Sequence, residues 1–276
     1  MVNTCYLLNK TPAIEHLLDE IDSTQAKIDA QKPYENTLWQ TIQEKLKIEW
    51  TFDSNALEGS TLTKGDTYFF LQEGLTVEGK PLKDFLDARN HAEAVDYIYQ
   101  IIKEKRPITT GLIKSFNSLL LSGITHTRAI NHLGETINKP ATPGKFKQLP
   151  NHVLQHDGSI HRYTEPIKVL DEMDFLCQWI NENMHSEHAV IVASMAHYNM
   201  VRIHPFDDGN GRGARILMNL ILMIKGYPPA VIRNEHRRHY LDALRNGDQG
   251  FFTPFIELVA TCIIDTQKII ITDLNN

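Results

Sequence analysis

Ile203-His204-Pro205-Phe206-Asp207-Asp208-Gly209-Asn210-Gly211-Arg212-Gly213-Ala214-Arg215 is the stretch on which the reading of this chain turns. Apolar residues recur at helical spacing before it, over 187–201, and after it, over 212–225. The segment is therefore a loop running into a helix N-terminus. Such a terminus offers backbone N–H groups without intrahelical partners and the positive end of the helix dipole, and both favour an anion. Gly209 and Gly211 let the backbone turn tightly and approach a ligand with no Cβ in between. Arg212 and Arg215 are three apart and project near one face of the first helical turn, where guanidinium forks suit phosphate oxygens. Asp208 is a hard oxygen ligand beside that anion site, which is what a Mg²⁺ shared with a nucleotide needs. His204 precedes the loop and is placed to take a proton from an attacking hydroxyl. Phe206 reads as an apolar anchor. Each feature alone is ordinary, since Asp-Gly-Asn-Gly is a common turn and paired arginines commonly lie on a solvated face. Their coincidence at one helix start points to phosphate chemistry.

Outward from the loop, helical patterns dominate. Ile14, Leu17, Leu18, Ile21 and Ile28 predict a helix over 12–32, with Pro12 suited to its first turn, and Leu38, Ile42, Leu46 and Ile48 predict a second. Gly59 is a helix stop, and Thr63 with Asp66 resembles a capping box for the next helix. Further helices are expected over 82–103, after a cap at Thr109 or Thr110, and over 168–183, 237–245 and 254–271. Residues 140–166 differ: His152–His156 and Ser159–Tyr163 flank Asp157-Gly158, a hairpin signal. The expectation is a mostly α protein with one small β-hairpin and no linker that forces independent domains.

Composition limits the function classes. With 42% hydrophobic and 22% charged residues the chain reads as globular, and a net charge of -6 gives no global basic field for nucleic acid. Cys5, Cys177 and Cys262 are far apart and suit a reducing compartment; no signal peptide or membrane span is read, so a cytoplasmic location is expected. His185 with His188, and His236 with His239, are spaced i, i+3 but have no carboxylate in a matching helical frame, and they are read as idle rather than metal-binding.

The run HPFDDGNGRGAR matches every fixed position of the Fic-family pattern HxFx(D/E)GNGRxxR, and the chain is identified on that motif as resembling the Fic-domain family. Ser54-Asn55-Ala56-Leu57-Glu58-Gly59 resembles the family's inhibitory motif, (S/T)xxxE(G/N), in the class that carries it on an N-terminal helix. TPGKFK and the hairpin resemble the flap that holds a target segment, through Gly144, Lys145, Phe146, Val153, Leu154 and Gln155. Tyr240 and the Asn246-Gly247-Asp248 run resemble the tail that closes the adenosine pocket. The likeness covers roughly 35–260. Departures are Leu57 for a common Ile and Asn117 for a common His, neither expected to touch the chemistry, Lys147 for a common Arg, and a tail shorter than in some relatives between Tyr240 and Asn246.

The resemblance implies a Fic-type helical bundle with a β-hairpin flap, in which 1–104 carries the inhibitory motif and 105–276 the catalytic core. It implies a protein adenylyltransferase that moves AMP from ATP, with Mg²⁺, onto a protein hydroxyl. His204 would be the general base and Asp208 the metal ligand. Gly209, Asn210 and Gly211 would supply the anion hole, with Arg212 and Arg215 on the phosphates, Tyr240 and Asn246 on the adenosine, and Gly213 and Ala214 also among the nucleotide-binding residues. Ser54, Glu58 and Gly59 would form the brake, with Glu58 taking Arg215 from the γ-phosphate. The partner would be a protein substrate, this chain itself included, with no direct nucleic acid or membrane; a homo-oligomer stays open. Two other readings also stay open: a nucleotide-binding regulator with little transfer activity, and a Fic enzyme that uses another nucleotide or removes AMP.

Overall fold

The computed structural model describes residues 4–6, 10–130, 136–154 and 160–275. Among them the helical patterns become α1 (Pro12–Asp29), α2 (Asn36–Leu57), α3 (Lys64–Glu73), α4 (Leu82–Glu104), α5 (Thr110–Leu120), α6 (Pro166–Asn183), α7 (Ala189–Ile203), α8 (Asn210–Ile224), α9 (Arg237–Asp248) and α10 (Thr253–Leu274). Local chemistry sets their ends. Thr11 Oγ1 accepts the Ile14 N–H at 3.3 Å, with Pro12 at the first helical position of α1. Thr63 and Asp66 form a reciprocal capping box, at 2.8 and 3.1 Å, that starts α3. Of the two candidate caps for α5, Thr109 is the one used. Gly59, at φ 92°, turns the chain out of α2 immediately after Glu58.

α7 and α8 pack antiparallel through the centre of the main core, and α4, α5, α6, α9 and α10 surround them. Both are apolar on nearly all sides, as helices enclosed by others must be. The same core takes in Ile14, Leu18 and Ile21 of α1 and Trp50 and Leu57 of α2, so the N-terminal region shares it with the segment around the motif. A smaller cluster of Ile28, Ile42, Leu46 and Ile270 joins α1 and α2 to α10.

Two antiparallel hairpins lie on this helical body. The expected one is β3 (His152–Leu154) with β4 (Ile160–Arg162), where His152 faces Arg162; its Asp157-Gly158 turn falls outside the described residues. The other, β1 (His126–Ile130) with β2 (Thr136–Pro140), has no counterpart in the sequence reading. Among the described residues no helix is long and apolar enough to cross a membrane. His188 is occupied structurally: its Nδ1 accepts the Val190 N–H at 3.2 Å and so caps α7.

Candidate active site

The motif loop is tied down at nearly every residue. His204 ends α7 in a left-handed conformation, φ 50° and ψ 60°. Phe206 is 1% exposed and packs on Phe146, with ring centroids 5.4 Å apart. The Asn210 side chain reaches back, accepting the Phe206 N–H at 2.9 Å and donating to its carbonyl at 2.8 Å. Gly209, at φ 78°, is the turn that opens α8. Gly211 differs from expectation: it is helical, and its missing Cβ matters because one there would run into Glu58 Oε1. Asn210 and Gly211 are the first residues of α8, where backbone N–H groups have no intrahelical acceptor and the helix dipole favours an anion.

The two arginines have separate partners. Arg212, 2% exposed, forms an ion pair with Asp87 of α4, and its Nη2 lies 3.6 Å from Asp208 Oδ1. Arg215, also 2% exposed, donates from Nε to Ser54 Oγ at 3.0 Å and from Nη2 to Ser54 O and Glu58 Oε1, both at 2.8 Å. Ser54 and Glu58, one helical turn apart at the end of α2, thus meet on one guanidinium. Glu58 still keeps 43% of its side chain exposed, so water screens the pair. Burial pushes the Glu58 carboxyl up, but Arg215 and then Arg212 outweigh it and hold the group below the usual carboxylate range.

His204 is partly exposed. Burial, aided by the nearby Lys147 charge, lowers its pKa to about 3, so the imidazole is neutral at physiological pH. Tyr163, just after β4, stacks on it with centroids 3.8 Å apart and planes 18° from parallel. Asp208 Oδ1 accepts the Gly209 N–H at 2.6 Å, so its carboxylate also helps shape the turn.

In the flap, the Gly144 N–H donates to Asn117 Oδ1 at 2.9 Å, and Lys145 follows in the same turn. Phe146 covers Phe206 and also carries the Lys114 ammonium 4.1 Å from its ring centroid. Val153 and Leu154 lie in β3, and Gln155 falls outside the described residues. Tyr240 is 5% exposed and sits within reach of Arg215, whose Nη1 is 3.4 Å from its hydroxyl; the same hydroxyl is 3.2 Å from His197 Nε2. Asn246 is bonded within its own helix, to Asp242 O at 2.9 Å, and does not join the motif residues.

Asn117 corrects the expectation that it stands apart. Besides Gly144 it reaches the loop, its Nδ2 donating to Asp208 O at 2.9 Å. The sequence reading also missed Asp87, Asp207 and Tyr163. Asp207 accepts from Lys139 Nζ at 2.6 Å and Thr142 Oγ1 at 2.9 Å, which ties β2 and the flap to the loop. Asp87 left a signal of its helix face alone, since Asp84, Asp87 and His91 fall at helical spacing, and none of its partner. Tyr163 left none.

A loop between two enclosed helices thus carries a neutral imidazole, a carboxylate and two arginines beside a helix N-terminus. Residues 107–222 match the Fic/DOC family model, and the chain belongs to that family. It is 32% identical over 216 residues to "Protein adenylyltransferase Fic" of Culex quinquefasciatus, covering 78% of this chain and 40% of that protein. With the protein of the same name from Nematostella vectensis it shares 29% over 251 residues, covering 90% and 54%. The chain thus spans about half the length, or less, of these curated relatives. Among solved structures it is similar to a Fic domain containing signaling protein from Bacteroides thetaiotaomicron, with a TM-score of 0.82 and 28% identity over 94% of this chain and 97% of that one. It shares its fold with Fic-1 (aa134–508) from C. elegans, at a TM-score of 0.77 and 23% identity over 94% of this chain and 71% of that one.

Proposed function

We propose that this chain is a protein adenylyltransferase that moves AMP from ATP to a serine, threonine or tyrosine hydroxyl of a protein and is held in check by Glu58. The contact between Glu58 Oε1 and Arg215 Nη2 carries this reading, because it puts a carboxylate on the guanidinium that a γ-phosphate would need. In the forward reaction the target hydroxyl oxygen attacks the α-phosphorus, and the bond from that phosphorus to the α,β-bridging oxygen breaks. Pyrophosphate leaves, and the hydroxyl proton passes to His204, whose neutral imidazole suits a base. The N–H groups at the start of α8 stabilise charge on the α-phosphate oxygens. Arg212 and Arg215 hold the polyphosphate in line.

Among the described residues no cluster of three His, Cys, Asp or Glu side chains could enclose a metal. Asp208 alone fits Mg²⁺, which characteristically binds one or two carboxylates together with substrate phosphates and waters. When bound, the ion would neutralise phosphate charge. In this reading 1–104 supplies the brake and 105–276 the chemistry. Buried thiols at Cys177 and Cys262 are consistent with a cytoplasmic protein.

The test is transfer of label from α-labelled ATP. Glu58→Gly should raise labelling of the chain or of lysate proteins by about tenfold or more, since a charge-assisted hydrogen bond is exchanged for one to substrate. His204→Ala in that background should lower it by about 10²–10⁴-fold while ATP still binds. ATP binding without label transfer, in wild type and in Glu58→Gly, would favour a nucleotide-binding regulator instead.

A further inference from the structure

His204 lies between two carbonyls that bond to the same residue. The Lys147 N–H donates to Pro205 O at 2.9 Å, and Lys147 Nζ donates to Ile203 O at 3.3 Å. Ile203 ends α7, so its carbonyl has no intrahelical donor. Between them His204 holds a left-handed backbone at φ 50°, which disfavours any residue with a Cβ and persists only where the surroundings impose it.

The Lys147 side chain is itself unusual. It is 3% exposed, and burial pushes its pKa down to about 8. Burying an ammonium is unfavourable, and a methionine would fill the space without that penalty. The ammonium also faces Tyr163, 5.8 Å from its ring centroid, and the other face of this contact chain is the Tyr163 stack on His204. Lys147 therefore reaches His204 through the carbonyl before it, the carbonyl after it, and the ring stacked on it. The charged and titratable groups acting on His204 are Lys147 from the flap, Glu58 beyond α2 and His161 of β4, while Glu165, Asp207 and Glu172 act on Lys147.

We propose that Lys147 is a positioning residue for His204, clamping the backbone on both sides so that the left-handed conformation and the stack on Tyr163 are kept. The proposal rests on the adenylyltransferase reading, in which His204 receives the target proton. A residue that only filled space would leave the base untouched when replaced by one of similar length.

The experiment uses the full chain with Glu58→Gly as background. Lys147→Met removes Nζ and keeps the backbone bond. It should lower kcat for label transfer by about tenfold to a hundredfold, the scale of a misplaced catalytic group. KM for ATP should stay within about twofold, because the nucleotide contacts are untouched. The acid limb of kcat should move to higher pH, since a positive charge near the imidazole is gone. Lys147→Arg, which keeps charge and donors, should restore most of the rate. A Lys147→Met protein with native near-ultraviolet circular dichroism, unchanged kcat and an unchanged acid limb overturns the clamp and leaves the transferase reading standing. If Lys147→Met does not fold, Lys147→Gln, which lacks the charge but keeps a donor, is measured against the same outcomes. If the Glu58→Gly protein transfers no label at all, the transferase reading falls. The clamp is then judged by nitrogen NMR of the His204 imidazole, identified through His204→Gln. A higher imidazole pKa in the variant than in the parent, read from the titration of the nitrogen shifts, supports it, and an unchanged pKa overturns it.

Discussion

Four acceptors surround the Arg215 guanidinium: Ser54 Oγ, Ser54 O, Glu58 Oε1 and Tyr240 OH. Removing Glu58 leaves the other three in place, so the guanidinium stays aimed while its Nη2 gains a vacancy for a phosphate oxygen. The gain expected from Glu58→Gly should therefore vanish in Glu58→Gly with Arg215→Ala, which keeps the open space and lacks the beneficiary. Asp208 gives a second prediction at this scale. Calorimetry with the Glu58→Gly protein should show ATP binding about tenfold or more tighter with Mg²⁺ than without it, and Asp208→Ala should remove most of that difference. Equal affinities with and without the ion would count against a metal role for Asp208. Much of this residue detail was legible in advance, because the motif puts its chemistry in consecutive positions and the helix supplies the geometry. Asp87 and Tyr163 were not legible: their positions at Arg212 and His204 come from chain segments far away in sequence.

The elements divide between those with strong internal signals and those defined by what they touch. The ten α-helices among the described residues announce themselves through 3.6-residue periodicity, caps and stops, and α2 ends where Gly59 says it should. The β1–β2 hairpin had no such signal. His126-Thr127-Arg128-Ala129-Ile130 and Thr136-Ile137-Asn138-Lys139-Pro140 offer too few apolar residues for a core-facing alternation to stand out. Its anchoring comes instead from Lys139 and Thr142 on Asp207. α5 supplies the other anchor through Asn117, buried at 1% between the flap and the loop. Asn117→Leu should leave both the Gly144 N–H and the Asp208 carbonyl without that partner, a cost of about 1–3 kcal/mol for each group left dry. Thermal melting should register the loss. Amide hydrogen exchange should speed up at Gly144 while α7 and α8 stay protected; unchanged exchange at Gly144 would mean that the flap is held by something else.

Across the whole molecule, polar groups buried around the two arginines make stability depend on pH. Burial, with Arg215 and Arg212 or Arg215 alone nearby, holds His91 and His197 well below the ordinary histidine range, and His204 titrates at about 3. The sign follows from the direction of these shifts. Below the unfolded value of about 6.5 the unfolded chain takes up protons that the folded chain refuses, so unfolding gains as pH falls. The contribution is whole above about 6.5 and is lost progressively toward the folded values. Each such group adds up to about 1.4 kcal/mol per pH unit, so the three together can reach about 4 kcal/mol per unit. Melting temperature should fall steeply between about pH 6.5 and 5, above the range where carboxylates such as Glu58 take protons, and His91→Gln should flatten the slope. A melting temperature constant over that interval would contradict the burial of uncharged imidazoles. The shared core was partly legible as enclosed apolar helices, but the buried histidines were not, because a sequence does not show which polar residues a fold encloses.

Glu58 stands one residue beyond the last turn of α2, outside the regular helix, with an open side chain and Gly59 behind it. Releasing Arg215 therefore needs rotation about a few side-chain bonds, with every backbone hydrogen bond of α2 left intact. Exposed side chains change rotamer in picoseconds to nanoseconds, far faster than any helix melts or any enzyme turns over. If Glu58 acts as the brake, time is then not what the contact withholds, because rotation at such rates leaves a nucleotide nothing slow to wait for. Restraint of this kind should show no lag on mixing with ATP, and its strength should follow nucleotide concentration from the first turnover.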